Sequence, residues 1–109
     1  TNYTQINKLI HKGWVNEFCF ETSEKIKTLG YRSHREISID DLYRNFVEYI
    51  QKKDKKFNLQ LGVKESNYFK NLLLATTSRS LWGTDTYYEI LSNEDEYIQK
   101  AINEFQSTP

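Results

Sequence analysis

Two stretches of the sequence carry side chains that could bind a nucleic-acid backbone. One is "KKDKK" at residues 52–56, where four lysines flank one aspartate, and the other is "SNYFKNLL" at residues 66–73. Lysine neutralises phosphates and releases counterions, whereas asparagine pairs well with the edge of adenine. We therefore expect nucleic-acid contacts from these residues: Lys52, Lys53, Lys55, Lys56, Lys64, Ser66, Asn67, Lys70, Asn71 and Arg79.

The lysines of residues 52–56 also have a purely structural explanation. Cations are favoured in the last turn of a helix, where they interact with its dipole and keep the surface solvated. The lysines gain weight from their position between a capped helix and the predicted second helix, and the further question is whether Asn67, Lys70 and Asn71 share a surface with them.

Other reactive residue types show no pattern typical of catalysis or metal binding. His11 and His34 are not at metal-ligand spacing with Cys19 or with carboxylates. The acidic runs at 40–41 and 94–96 fall where first helical turns favour acids, so we interpret them as helix-capping charges. No glycine-rich phosphate loop is present. We expect no catalytic residue, no metal and no cofactor, and hence a protein that is not an enzyme.

The formal net charge is zero, but the charges are unevenly distributed. Residues 25–79 hold twelve Lys or Arg and six Asp or Glu, whereas residues 80–109 hold one Lys and six acids. This asymmetry favours a polar binding face, although helix-end preferences could also produce it.

The composition indicates a folded chain outside the membrane. Aromatic residues make up 15% of the sequence, which supplies much area to bury. No apolar run approaches the roughly 18 residues of a membrane span, and no signal-peptide pattern opens the chain. The single cysteine, Cys19, suggests a reducing compartment. We expect an intracellular protein, of cytoplasm or nucleus.

Apolar spacing predicts helices in the N-terminal third. Residues 4–12 place Ile6, Leu9 and Ile10 on one face, with Gly13 as C-cap. Residues 14–20 are ambiguous between helix and strand. Residues 23–30 predict a short helix that Ser23 caps and Gly30 stops.

The middle of the chain predicts two helices joined by an alternating segment. Residues 35–38 suggest a short extended piece, after which Ser38 caps a helix that reaches Lys52 and Lys53. The apolar residues of this helix follow a 3.6-residue period: Leu42, Phe46, Tyr49 and Ile50. Residues 57–61 alternate as in a half-buried strand or an extended connector, and residues 64–76 predict the second helix.

Residues 80–91 predict a β-hairpin, and residues 92–106 a final helix. Gly83 to Asp85 would supply the turn, and the β-prone run 86–91 the return strand. A helix pair followed by a hairpin is the winged-helix arrangement. We therefore expect a single α+β, mostly helical domain over residues 1–109. It would be a winged helix-turn-helix with a β-hairpin wing (37–91), a helical extension (1–30) and a C-terminal helix (92–106).

The stretch "LYRNFVEYI" resembles the second-helix signature of RFX-type winged helices, which also occur at the C-terminus of poxvirus- and phage-type primase-helicases. The recognition-helix pattern of that group is similar to Ser66, Phe69 and Lys70 here. Its wing pattern is similar to five residues here: Leu81, Gly83, Tyr87, Tyr88 and Ile90. The resemblance implies DNA binding, with the second helix in the major groove.

Two functions are compatible with the sequence. The first is a nucleic-acid-binding module, with duplex DNA favoured, in a replication or regulatory protein. The second is a protein-interaction module, or a small inhibitor or immunity protein, that binds no DNA. Trp82 and the acidic C-terminal helix would then contact a protein partner. The sequence leaves the oligomeric state open.

Overall fold

The structure, a computed structural model, describes residues 3–92. Five α-helices and one 3-10 turn follow each other along this part of the chain. They are α1 (Tyr3–His11), α2 (Trp14–Lys27), the 3-10 turn (His34–Glu36), α3 (Ile39–Lys53), α4 (Val63–Trp82) and α5 (residues 84–92).

The break between α1 and α2 lies at Gly13, as predicted. Gly13 adopts a left-handed conformation with φ of 78°, and its N–H donates to the Ile10 carbonyl at 2.9 Å. A glycine adopts this conformation without the steric cost that a Cβ would add. The ambiguous residues 14–20 are helical and belong to α2.

The predicted start of a helix at Ser23 is wrong. Ser23 is fully buried inside α2, and its hydroxyl donates to the Phe20 carbonyl at 2.7 Å. The side chain therefore bonds backward within its own helix instead of capping a new one. The helix ends at Lys27, and Gly30 follows in a left-handed turn with φ of 71°.

Serine caps define the start of α3 and of the turn before it. Ser38 accepts a hydrogen bond from the Asp41 N–H at 3.3 Å, which confirms the predicted cap. Ser33 and Glu36 form a capping box around the 3-10 turn, so the extended piece expected at 35–38 is confined to Ile37 and Ser38.

The alternating segment after α3 is an extended connector. Phe57, Leu59 and Leu61 are half-buried against the core, while Asn58 and Gln60 between them are exposed. The connector pairs with no strand among the described residues. Of the two predicted conformations, a half-buried strand and an extended connector, the extended connector is therefore correct.

Helix α4 forms the centre of the molecule. It extends six residues beyond the predicted end at 76, and the six consecutive residues 73–78 are all buried. A helix that is enclosed on every side shows no simple amphipathic period, which explains why its full length was not predicted.

The predicted β-hairpin wing is absent, because residues 80–82 belong to α4 and residues 84–92 form α5. No strand occurs anywhere in residues 3–92. The α+β winged helix-turn-helix prediction is therefore wrong, whereas the mostly helical prediction is correct. Ile90 is buried, and Tyr87 and Leu91 pack on the core beside it. This i, i+3, i+4 spacing is helical and outweighs the β-propensity of the run.

One aromatic cluster joins three helices. The ring centroids of Phe18 and Phe46 are 5.2 Å apart, as are those of Phe46 and Phe69, and both pairs meet edge to face. Ile6 and Leu9 of α1 belong to the same buried cluster. The residues of the predicted N-terminal extension thus pack into the same core as α3 and α4.

The C-terminal helix predicted at 92–106, with its acidic first turn, lies outside the described residues except for position 92. Within the described part, no helix combines the length and apolar character that a bilayer span needs.

Candidate nucleic-acid interface

The four lysines of residues 52–56, here called the lysine turn, lie where α3 ends. Lys52 and Lys53 occupy the last helical turn, and Lys55 and Lys56 follow the C-cap Asp54. The Asp54 carboxylate accepts a hydrogen bond from the Lys56 N–H at 3.0 Å, which fixes the turn. All four lysines are exposed.

Lys53 takes part in a contact that joins α3 to α2. Its ammonium is 3.0 Å from the Glu17 carboxylate and 5.3 Å from the centre of the Tyr49 ring. The hydrogen bond from Lys53, with a smaller contribution from Tyr49, lowers the pKa of Glu17. Burial raises the pKa of Tyr49, and the neighbouring Glu17 carboxylate raises it further. Lys53 is thus committed to a helix–helix contact.

Lys70 is committed in the same way, between α4 and α3. Its ammonium pairs with the Asp40 carboxylate at 3.1 Å and lies 5.3 Å from the centre of the Tyr43 ring. Its side chain is only 26% exposed. An ammonium held by a carboxylate and an aromatic ring is poorly placed to reach a base edge.

The other predicted residues of α4 differ in their exposure to solvent. Asn67 is exposed, but Ser66 and Asn71 are half-buried, and Asn71 has contacts within the molecule. Arg79 lies fifteen residues beyond Lys64, about 22 Å along the helix axis, and stacks on the Tyr87 ring at 4.8 Å. Four of the ten predicted residues are therefore engaged with other groups of the molecule, and these are Lys53, Lys70, Asn71 and Arg79.

Lys8 of α1 and Lys12, which directly follows the end of this helix at His11, are here together called the α1 lysines, and neither was predicted from the sequence. The Lys8 ammonium is 5.8 Å from the centre of the Phe57 ring, and the Lys12 ammonium is 4.8 Å from that of Trp14. The two rings meet edge to face with centroids 6.4 Å apart. Phe57 directly follows Lys56, so this aromatic pair links the α1 lysines to the end of the lysine turn.

Gln5 attaches α1 to the connector and so determines this arrangement. Its side-chain amide donates to the Asn58 carbonyl at 3.1 Å and accepts from the Gln60 N–H at 3.0 Å. The Gln5 side chain thus bonds to the connector backbone in the way that a neighbouring β-strand would. Gln5 and the connector are more than fifty positions apart, so no local sequence pattern could have revealed this contact.

The remaining candidates for chemistry show no reactive arrangement. Cys19 is 1% exposed, its thiol donates to the Leu73 carbonyl at 3.6 Å, and burial raises its pKa to about 11. A thiol with this pKa is a weak nucleophile at neutral pH. Across residues 3–92, no group of three His, Cys, Asp or Glu side chains is placed to hold a metal ion.

An open groove of about 280 Å³ lies at the other end of α2. Apolar side chains that include Ile26, Leu29 and Leu42 line it, with Lys25 and Glu36 among its polar residues. Its residue types do not define a ligand.

No protein-family model, curated protein or solved structure matches this chain. The resemblance to RFX-type winged helices therefore stays a prediction, and its expected wing is not part of the fold.

Proposed function

We propose that the protein is a non-catalytic module that binds nucleic acid inside the cell, with duplex DNA as the favoured ligand. The observation that carries the proposal is the lysine turn. Lys52, Lys55 and Lys56 are exposed, and no carboxylate of the described residues lies within 4 Å of their ammonium groups. Such lysines are free to replace the counterions of a phosphate backbone.

Binding through this site would follow the phosphates and not the base sequence. Two of the residues selected for contacts with base edges are engaged elsewhere, Lys70 with Asp40 and Asn71 with neighbours in the molecule, which leaves Asn67 as the exposed amide among them. Lysine contacts to phosphate position a protein on DNA without carrying sequence information. We therefore expect little discrimination among duplexes of equal length.

A salt-dependent titration tests the proposal. The wild-type chain and a Lys55→Gln/Lys56→Gln variant are titrated with a fluorescent 20-base-pair duplex at several salt concentrations. We expect the wild type to bind at about 50 mM salt, and each lost phosphate contact to flatten the log K against log salt slope by about 0.9. Loss of both lysines should flatten it by about 1.8.

The matched control removes the same charge from the far end of α2. Lys25 and Arg32 are exposed and have no ion pair among residues 3–92. Lys25 lies eleven residues beyond Trp14, about 16 Å along the helix axis. The Lys25→Gln/Arg32→Gln variant should keep the wild-type slope. Absence of wild-type binding at about 50 mM salt, or equal losses in both variants, would rule out this site.

The competing function is protein binding, and exposed apolar side chains favour it. Phe20 and Leu29 are each 60% exposed, and Tyr88 is 61% exposed. Trp82, the residue selected from the sequence for a protein contact, is half-buried at the end of α4. Capture of one protein partner that Phe20→Ser abolishes, together with failure to bind DNA, would establish this alternative.

A further inference from the structure

We propose that the α1 lysines, Lys8 and Lys12, belong to the same phosphate-binding surface, so that the nucleic acid runs from the lysine turn onto α1. This inference rests on the proposed function and deepens it. The basic surface then comprises Lys8 and Lys12, which lie over the edge-to-face pair Phe57 and Trp14, and Lys55 and Lys56, which directly precede Phe57 in the chain.

The Phe57 and Trp14 rings position Lys8 and Lys12 for phosphate binding. Each ammonium is attracted to the electron-rich face of its ring, which restricts the long side chain before any ligand arrives. Lys8 and Lys12 remain exposed, and none of the carboxylates in the described part of the chain lies within 4 Å of them. They therefore lose less side-chain freedom on binding than unsupported lysines do.

The helical spacing of Lys8 and Lys12 places both side chains on the same side of the chain, one after the other along the axis of α1. Residues four apart share one face of a helix and are separated by about 6 Å along its axis. Gln5, one turn before Lys8 in sequence, holds this helix against the connector at Asn58 and Gln60. The α1 lysines are therefore fixed relative to the turn that carries Lys55 and Lys56.

The same geometry specifies how the ligand is bound. Because ammonium groups cover faces of the Trp14 and Phe57 rings, these faces are not platforms for unpaired bases. Single-strand binders gain affinity by stacking bases on such rings. The surface therefore recognises a phosphate backbone, and duplex is preferred over single strand through its higher charge density.

The experiment compares Lys8→Gln/Lys12→Gln with Lys55→Gln/Lys56→Gln and the Lys25→Gln/Arg32→Gln control in the same salt titration. We expect the α1 variant to flatten the slope by about 1.8, as the lysine-turn variant does, and the control to leave it unchanged. A Lys8→Arg/Lys12→Arg variant keeps the charge and should keep the slope. Far-UV circular dichroism of each variant confirms that the helices are intact.

The fluorescence of Trp14 provides a second measurement, which reports on the surroundings of Lys12 directly and not only on the number of charges lost. In a Trp82→Phe background Trp14 is the remaining tryptophan of the chain. Saturation with unlabelled duplex places a phosphate beside the Lys12 ammonium and so alters the electrostatic environment of Trp14, whose emission should change. The emission should stay constant when the same duplex is added to the Lys8→Gln/Lys12→Gln variant.

The outcomes separate this inference from the proposed function. If the lysine-turn variant loses affinity but the α1 variant matches wild type, the inference is wrong and the proposed function stands. If the wild type does not bind duplex, the proposed function fails and the inference with it. Polyglutamate that competes as well as duplex at equal charge would identify an acidic polypeptide as the ligand and overturn the nucleic-acid assignment.

Discussion

Glu17 is the residue whose charge most directly supports the junction of α2 and α3. Its carboxylate pairs with Lys53 at 3.0 Å, and its pKa is lowered chiefly by that hydrogen bond. A carboxyl whose pKa is lowered in the folded state stabilises the fold above its unfolded pKa. That stability is lost as the pH falls through the folded pKa.

We expect Glu17→Gln to lower the free energy of unfolding at neutral pH. The difference from wild type should narrow as the pH falls below the ordinary carboxyl value of 4.5, because wild-type Glu17 is then protonated as well. Urea unfolding at about pH 7 and about pH 2 measures both differences. Glu48→Gln is the control, since Glu48 is exposed on α3 and has no ion pair among the described residues. An equal loss at both pH values would contradict the prediction.

Residue-level prediction from the sequence succeeded where the chemistry is local. The Ser38 cap needs only a hydroxyl three positions before the Asp41 N–H, so it was predicted correctly. The ion pair of Lys70 with Asp40 joins residues thirty positions apart, so it could not be predicted from the local sequence. The structure thus places the lysine turn on the surface and engages Lys70 with Asp40, while the binding role of these residues stays a prediction.

At the scale of elements, Gly83 determines the change of direction between α4 and α5. It has φ of 97° and ψ of 179°, a conformation that other residues adopt only under strain. A Cβ placed there would meet no atom within 4 Å. Any cost of adding one therefore comes from the backbone and not from packing.

We expect Gly83→Ala to destabilise the protein by about 1–3 kcal/mol, the cost of holding a non-glycine residue in a sparsely populated backbone region. Urea unfolding monitored by circular dichroism at 222 nm measures this loss. Gly30→Asn is the matched control, because Gly30 has φ of 71° and asparagine tolerates the left-handed region. An unchanged midpoint for Gly83→Ala would show that the backbone at this turn relaxes freely.

The presence of a helix was easier to predict than the position of its ends. The secondary structure of residues 80–91 was also harder to predict. In a capped, amphipathic segment such as α3, the sequence pattern predicts both helix ends and the buried face. In residues 86–91 the β-branched and aromatic composition suggested a strand, although Tyr87, Ile90 and Leu91 have helical spacing. Tertiary burial of Ile90 decides the outcome, and propensity alone could not anticipate it.

At the scale of the whole molecule, α1 contributes to the common core. Leu9 is fully buried, whereas its neighbour Ile10 is 38% exposed. The predicted N-terminal extension therefore supports the rest of the fold and also carries Lys8 and Lys12 of the proposed basic surface.

We expect Leu9→Ala to cost about 2–5 kcal/mol, the usual loss for a large core side chain, and Ile10→Ala to remain within about 0.5 kcal/mol. Urea unfolding followed by circular dichroism and by tryptophan fluorescence should give one shared, shifted midpoint for Leu9→Ala. Two separate transitions would mean that α1 unfolds independently of α3 and α4.

The enclosure of residues 73–78 in α4 constrains how the chain length can vary among related sequences. One inserted or deleted residue in a helix rotates everything after it by about 100°. A segment buried on all sides has no solvent face to absorb that rotation. We therefore expect insertions and deletions to be tolerated at residues 28–32, which lie between α2 and the capping box of the 3-10 turn. In the connector, one added residue would reverse the alternation of half-buried and exposed side chains and break the Gln5 bonds to Asn58 and Gln60. The distance in sequence between the lysine turn and α4 is thus expected to stay constant among related chains.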